Sequence, residues 1–69
     1  MPEGKITVFV TFQSAEGHTD DLKAVLTEMT EAGRKDSGCI SFDLLQSLDD
    51  ERSFMFSETW ESQAALDAH

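Results

Sequence analysis

A short polar link between two strand-like segments constrains this chain more than any other feature. Residues 39–47 place Ile40, Phe42 and Leu44 on one side of an extended segment, and residues 53–60 place Phe54, Phe56, Glu58 and Trp60 on one side of another. Only Leu48, Asp49, Asp50, Glu51 and Arg52 lie between them. So short a connection joins strands only as an antiparallel hairpin, because a parallel crossover needs a dozen residues or more.

A third alternating segment fills residues 6–13. Ile6, Val8, Val10 and Phe12 face one way, and Thr7, Phe9, Thr11 and Gln13 the other, the pattern of a half-buried strand. Residues 14–18 read as a loop. Thr19 is then the expected N-cap of a helix, with Asp20 and Asp21 where the helix dipole favours anions. Leu22, Val25, Leu26, Met29 and Ala32 recur at helical spacing and form one apolar stripe. Arg34 and Lys35 suit the C-terminal end, and Gly38 suits the stop. Gly33 costs a helix about 1 kcal/mol relative to alanine, so the last turn is expected to fray. Ser62 is the expected N-cap of a second helix starting at Gln63, with Ala65, Leu66 and His69 on one face.

The order β-α-β-β-α defines an α+β domain. A split β-α-β unit calls for a closing strand beside the first. Finishing the helix, a loop and that strand takes on the order of 15–30 further residues. The expectation is a domain over residues 6–69, preceded by a flexible lead-in at 1–5 and incomplete at its C-terminal side.

With 14 acidic residues against 5 basic ones and a net charge of −9, the surface repels phosphate backbones and anionic lipid. Nucleic acid and membrane are therefore not expected partners. No segment reads as a signal peptide or reaches transmembrane length, and a single cysteine fits a reducing cytosol, so a cytoplasmic protein is expected. Cys39 is the only cysteine and cannot form an internal disulfide. A chain of 69 residues builds a small core, and association is the remaining way to stabilise it. Apolar residues lie on both sheet faces, as in Val8 with Phe9 and Leu44 with Leu45. The expected partner is a second copy, paired through the sheet.

Two segments carry a family likeness. Residues 37–44, SGCISFDL, resemble the strand opening "PGCLSYDL" of antibiotic biosynthesis monooxygenase domains. Residues 56–69, FSETWESQAALDAH, resemble that family's "ERWESQEALDAH" signature, and Glu16-Gly17-His18 resembles its "KPGH" loop. The resemblance implies a ferredoxin-like fold of the dimeric αβ barrel type, with a pocket between sheet and helices. It implies a cofactor-free oxygenase of small aromatic or quinol substrates. Relatives in the same fold family degrade heme or isomerise a phosphorylated autoinducer. The oxygenase branch places an Asn and a Tyr where this chain has Phe56 and Leu66, while Trp60 matches. The heme-degrading branch needs an Asn and a Trp where this chain has Val10 and His69. The isomerase branch shares the Phe42–Gln46 stretch and a histidine at position 69, but handles a phosphate for which this chain offers few bases.

Three residues are candidates for the chemistry. His69 lies on the apolar side of its helix and could act as general base near neutral pH; the alternative is a helix-end imidazole bonded to backbone. Trp60 could stack on a planar substrate, or could simply supply buried core area. Glu58 shares a face with aromatics, where a charged carboxylate is costly unless partnered. It could accept a proton, or form an ion pair or a hydrogen bond across the dimer. Phe42, Phe56 and Leu66 are the expected substrate-pocket residues. Cys39 reads as a small buried hydrophobe, and His18 as a surface residue. No metal-ligand spacing, Gly-rich phosphate loop or Ser-His-Asp arrangement is present, and no cofactor is expected. The leading expectation is a cofactor-independent monooxygenase. The alternatives are an autoinducer-type isomerase or other small-metabolite enzyme, and a non-catalytic dimeric ligand-binding module.

Overall fold

The computed structural model describes residues 4–69. Most of the lead-in expected at 1–5 lies outside the described residues. The elements run β1 (Ile6–Gln13), α1 (Thr19–Arg34), β2 (Cys39–Gln46), β3 (Ser53–Trp60) and α2 (Gln63–Ala68). The strands form one antiparallel sheet in the order β1-β3-β2. This is the ferredoxin-like α+β arrangement. β3 is central, and its residues alternate between buried and half-buried along the whole strand.

One sheet face carries Ile6, Val8, Val10 and Phe12 of β1 opposite Trp60, Glu58, Phe56 and Phe54 of β3. Phe42 and Leu44 of β2 complete it from the other side. The core on this face is Leu26, Phe42, Phe54, Phe56 and Trp60. Phe56 sits edge-on between Phe12 and Phe42, with ring centroids 5.0 and 4.8 Å away, a favoured aromatic geometry.

Ile40 departs from the expected core. The register slips between Cys39 and Ser41, so Cys39 opposes Trp60, Ser41 opposes Thr59, and Ile40 is an extra residue in a bulge. Ile40 is consequently 47% exposed, and Cys39 takes the core-facing position beside Trp60.

The first helix also docks differently from its apolar stripe. α1 packs on β2, and the residues it buries are Leu26, Thr30 and Gly33. Thr30 tolerates burial because its hydroxyl donates to the Leu26 carbonyl at 2.8 Å. Val25 and Met29 remain exposed, Met29 on the side of the helix that faces Val10 and Phe12 of β1. Thr19 is the first helical residue rather than the N-cap, which is His18. The Thr19 hydroxyl instead pairs with that of Ser14 at 2.9 Å.

Gly33 lies within the helix, and the last turn does not fray at it. A Cβ built there would lie 2.5 Å from two atoms of the Phe42 ring. The missing methyl lets α1 lie directly on that ring, and Arg34 Nε then donates to the Phe42 carbonyl at 2.7 Å. Gly33→Ala is expected to lower stability by about 1–3 kcal/mol through overpacking, outweighing a helix-propensity gain of about 1 kcal/mol. Urea unfolding checks the sign, and a stabilised variant would show that Phe42 has room to move.

The hairpin link is closed by side chains. Ser47 Oγ accepts from the Asp49 and Asp50 amides, and Asp50 accepts from the Arg52 amide at 3.0 Å and the Ser53 hydroxyl at 2.9 Å. The Arg52 amide, followed by the Ser53 hydroxyl, holds the Asp50 carboxyl below its ordinary range. A depressed carboxyl stabilises the turn above its unfolded pKa, and this contribution is lost as pH falls through the lower folded value.

Candidate functional site

A cavity of about 320 Å³ opens on the helix side of the sheet. Val10, Phe12, Phe42 and Phe56 line it from the sheet, and Met29 and Ala32 from α1. Its two ionisable lining residues are Glu58 and His69. The cavity exists because α1 covers β2 and leaves the β1 half of the sheet open. The same displacement turns Met29 and Ala32, part of the apolar stripe of α1, towards the void.

Glu58 is only 5% exposed, and it gains its place by partnership with Trp60. The Trp60 indole N–H donates to Glu58 Oε1 at 3.0 Å. No buried side-chain oxygen or nitrogen among the described residues lacks a partner, so Oε2 is not sealed off without one, and Glu58 forms part of the cavity wall. Trp60 itself is fully buried and does not line the void. It forms the layer beneath the histidine, with ring centroids 4.8 Å apart and a tilt of 43°.

His69 follows the last turn of α2, and its position is set by the Gly38 turn. Gly38 has φ +87°, a conformation few other residues adopt. A Cβ there would lie 2.6 Å from Ala65 Cβ, so the bare glycine lets α2 seat against the turn. The Glu61 amide donates to the Gly38 carbonyl at 2.9 Å, and the Ser62 hydroxyl caps the helix by accepting from the Ala65 amide at 3.2 Å. His69 lies one helical turn beyond Ala65 and so comes down beside the same turn. There His69 Nδ1 pairs with Asp36 Oδ2. Phe42 flanks the ring at a centroid distance of 6.0 Å.

The structure thus gathers His69, Glu58, Phe42 and Phe56 around one cavity, with Trp60 behind them. Leu66 packs against the core and is not in the cavity lining. Asp36, Met29, Ala32 and Val10 were not anticipated at the site. Asp36 stands 33 residues from its partner, and no spacing rule links the two. Cys39 is half-buried and donates weakly to the Ser41 carbonyl. Burial, reinforced by Asp36 and Glu58, raises its thiol pKa, so it is a poor nucleophile. His18 is exposed and pairs with Asp21 at 3.2 Å. No described helix is long and apolar enough to cross a membrane.

An antiparallel sheet with both helices on one face, and an apolar cavity with a carboxylate and an imidazole in its wall, define a ferredoxin-like α+β domain with a candidate site on its helix side. The chain belongs to the antibiotic biosynthesis monooxygenase family, whose sequence profile it matches over residues 5–69. A Shewanella oneidensis protein of known structure is 34% identical with a TM-score of 0.92, over 99% of this chain and 66% of that one. A Pseudomonas aeruginosa structure is 32% identical with a TM-score of 0.89, over 100% of this chain and 69% of that one. An uncharacterized Synechocystis sp. protein is 34% identical over 50 residues, 72% of this chain and 34% of the relative. The chain therefore spans about two-thirds of the first two relatives and about a third of the last.

Proposed function

We propose that the protein is a cofactor-independent monooxygenase of a small aromatic or quinol substrate. The observation that carries this reading is His69, braced by Asp36 and Trp60, in the wall of a cavity otherwise lined mainly by aromatic and aliphatic side chains. An imidazole so placed can take a proton from an activated ring CH2 or a phenol. The resulting carbanion reduces O2, one oxygen atom stays in the product and the other leaves as water: a ring CH2 becomes C=O, and a quinol gains a ring oxygen and becomes the hydroxyquinone. The apolar walls exclude solvent from the carbanion. Glu58 Oε2 can accept a hydrogen bond from a substrate hydroxyl.

The test is oxygen uptake with an anthrone, with one O2 consumed per ring CH2 converted to a carbonyl, or with a hydroquinone, with one O2 consumed per hydroxyquinone formed. Conversion without oxygen uptake would favour the isomerase reading. Binding without turnover would favour the ligand-binding module, to which Phe56 and Leu66 at the family's polar positions lend support.

The proposed functional unit is a homodimer paired through the sheet face away from the helices. Phe9 there is 62% exposed and Leu45 is 45% exposed, and Leu45, Met55 and Thr11 lie in one cross-strand row. Leu45→Glu is expected to shift the protein from dimer to monomer in sedimentation velocity. A monomeric parent protein at micromolar concentration would overturn the dimer.

A further inference from the structure

We infer that Asp36 is the positioning residue for His69, fixing which ring nitrogen faces the substrate; this rests on the proposed role of His69 as the base. The two residues come from different parts of the fold. Asp36 belongs to the turn after α1, and His69 closes α2. The close approach of Ala65 to Gly38 brings the two parts together, and the Asp36–His69 pair is the side-chain bond between them. A carboxylate only accepts hydrogen bonds. A neutral imidazole facing one must therefore carry its proton on Nδ1, which leaves Nε2 with its lone pair free. With Nδ1 engaged by Asp36, Nε2 is the ring nitrogen left for a substrate in the cavity that His69 lines.

The ring is held on three sides. Asp36 fixes its Nδ1 edge, the Trp60 ring lies 4.8 Å from its centre, and Phe42 lies 6.0 Å away. The aromatic contacts limit tilt but cannot choose between the tautomers. That choice falls to Asp36. When His69 takes the substrate proton on Nε2, the adjacent carboxylate also stabilises the imidazolium that forms. Glu58 is the other acid in the cavity wall, but its bond is to the Trp60 indole, whereas the carboxylate on His69 Nδ1 is that of Asp36.

Asp36→Asn tests this. The Asp36 side chain is 42% exposed, and the variant should keep the parent's melting temperature. Nitrogen-15 shifts of His69 should show Nδ1–H as the dominant neutral tautomer in the parent and a mixture in the variant. Turnover should fall on the order of 10²-fold with KM unchanged, and Asp36→Glu should restore part of it. An unmoved tautomer ratio, or a KM effect without a kcat effect, would overturn the assignment. The NMR arm needs no substrate. If the parent proves inactive on every aromatic tried, the monooxygenase reading fails while the tautomer result still decides the Asp36–His69 coupling.

Discussion

Trp60→Ala is expected to leave the domain largely unfolded at room temperature. Trp60 is fully buried, and its indole is the hydrogen-bond partner of Glu58, itself only 5% exposed. Truncating a buried tryptophan costs about 3–5 kcal/mol. Losing the indole donor leaves a buried carboxylate oxygen unpaired, at about 1–3 kcal/mol more. A domain of this length has a total stability of about 3–10 kcal/mol, so the loss is comparable with the whole. Far-UV circular dichroism against urea reads the result. Trp60→Phe separates the two contributions, since it keeps most of the ring area and removes only the donor. An alanine variant with the parent's urea midpoint would show that Trp60 is peripheral to the core.

His69→Ala is expected to do the reverse. The His69 side chain is 36% exposed, and its contacts are the Asp36 pair and the flanks of Trp60 and Phe42. The fold should survive with a small change in melting temperature. Oxygen uptake on a quinol or anthrone should nonetheless fall by roughly 10²–10⁴-fold, the usual contribution of a general base. An unchanged rate in the folded variant would remove His69 from the chemistry. The two variants together distinguish a side chain that supports the cavity from one that acts in it.

The parts legible in the sequence were those governed by local pattern. β3 could be bounded to the residue because every second side chain is apolar or Glu58 and a short polar link precedes it. The α2 cap at Ser62 was readable for the same reason. The rest depended on register and docking. Periodicity located the apolar side of α1 but not the direction in which the helix would lie. Contact with Phe42 through Gly33 selected Leu26 and Thr30 for burial over Val25 and Met29. Ile40 fits the alternation, yet one inserted residue expels it, and a bulge leaves no signature in composition. The Asp36–His69 pair depends on a turn and a helix meeting in space, which no spacing rule over 33 residues reports.

The Gly38 turn has a consequence for how such a domain diversifies. The cavity walls come mostly from the sheet and α1, whereas the Asp36–His69 pair comes from the turn and α2. Substitutions at Val10, Met29 or Phe56 reshape what fits without moving the imidazole. Changes at Gly38, Ala65 or Asp36 act on the setting of the imidazole and leave the walls built by the sheet and α1 in place. Under the proposed function, ligand choice and reactivity are therefore separately heritable traits in this scaffold, and selection can adjust either one while the other is retained.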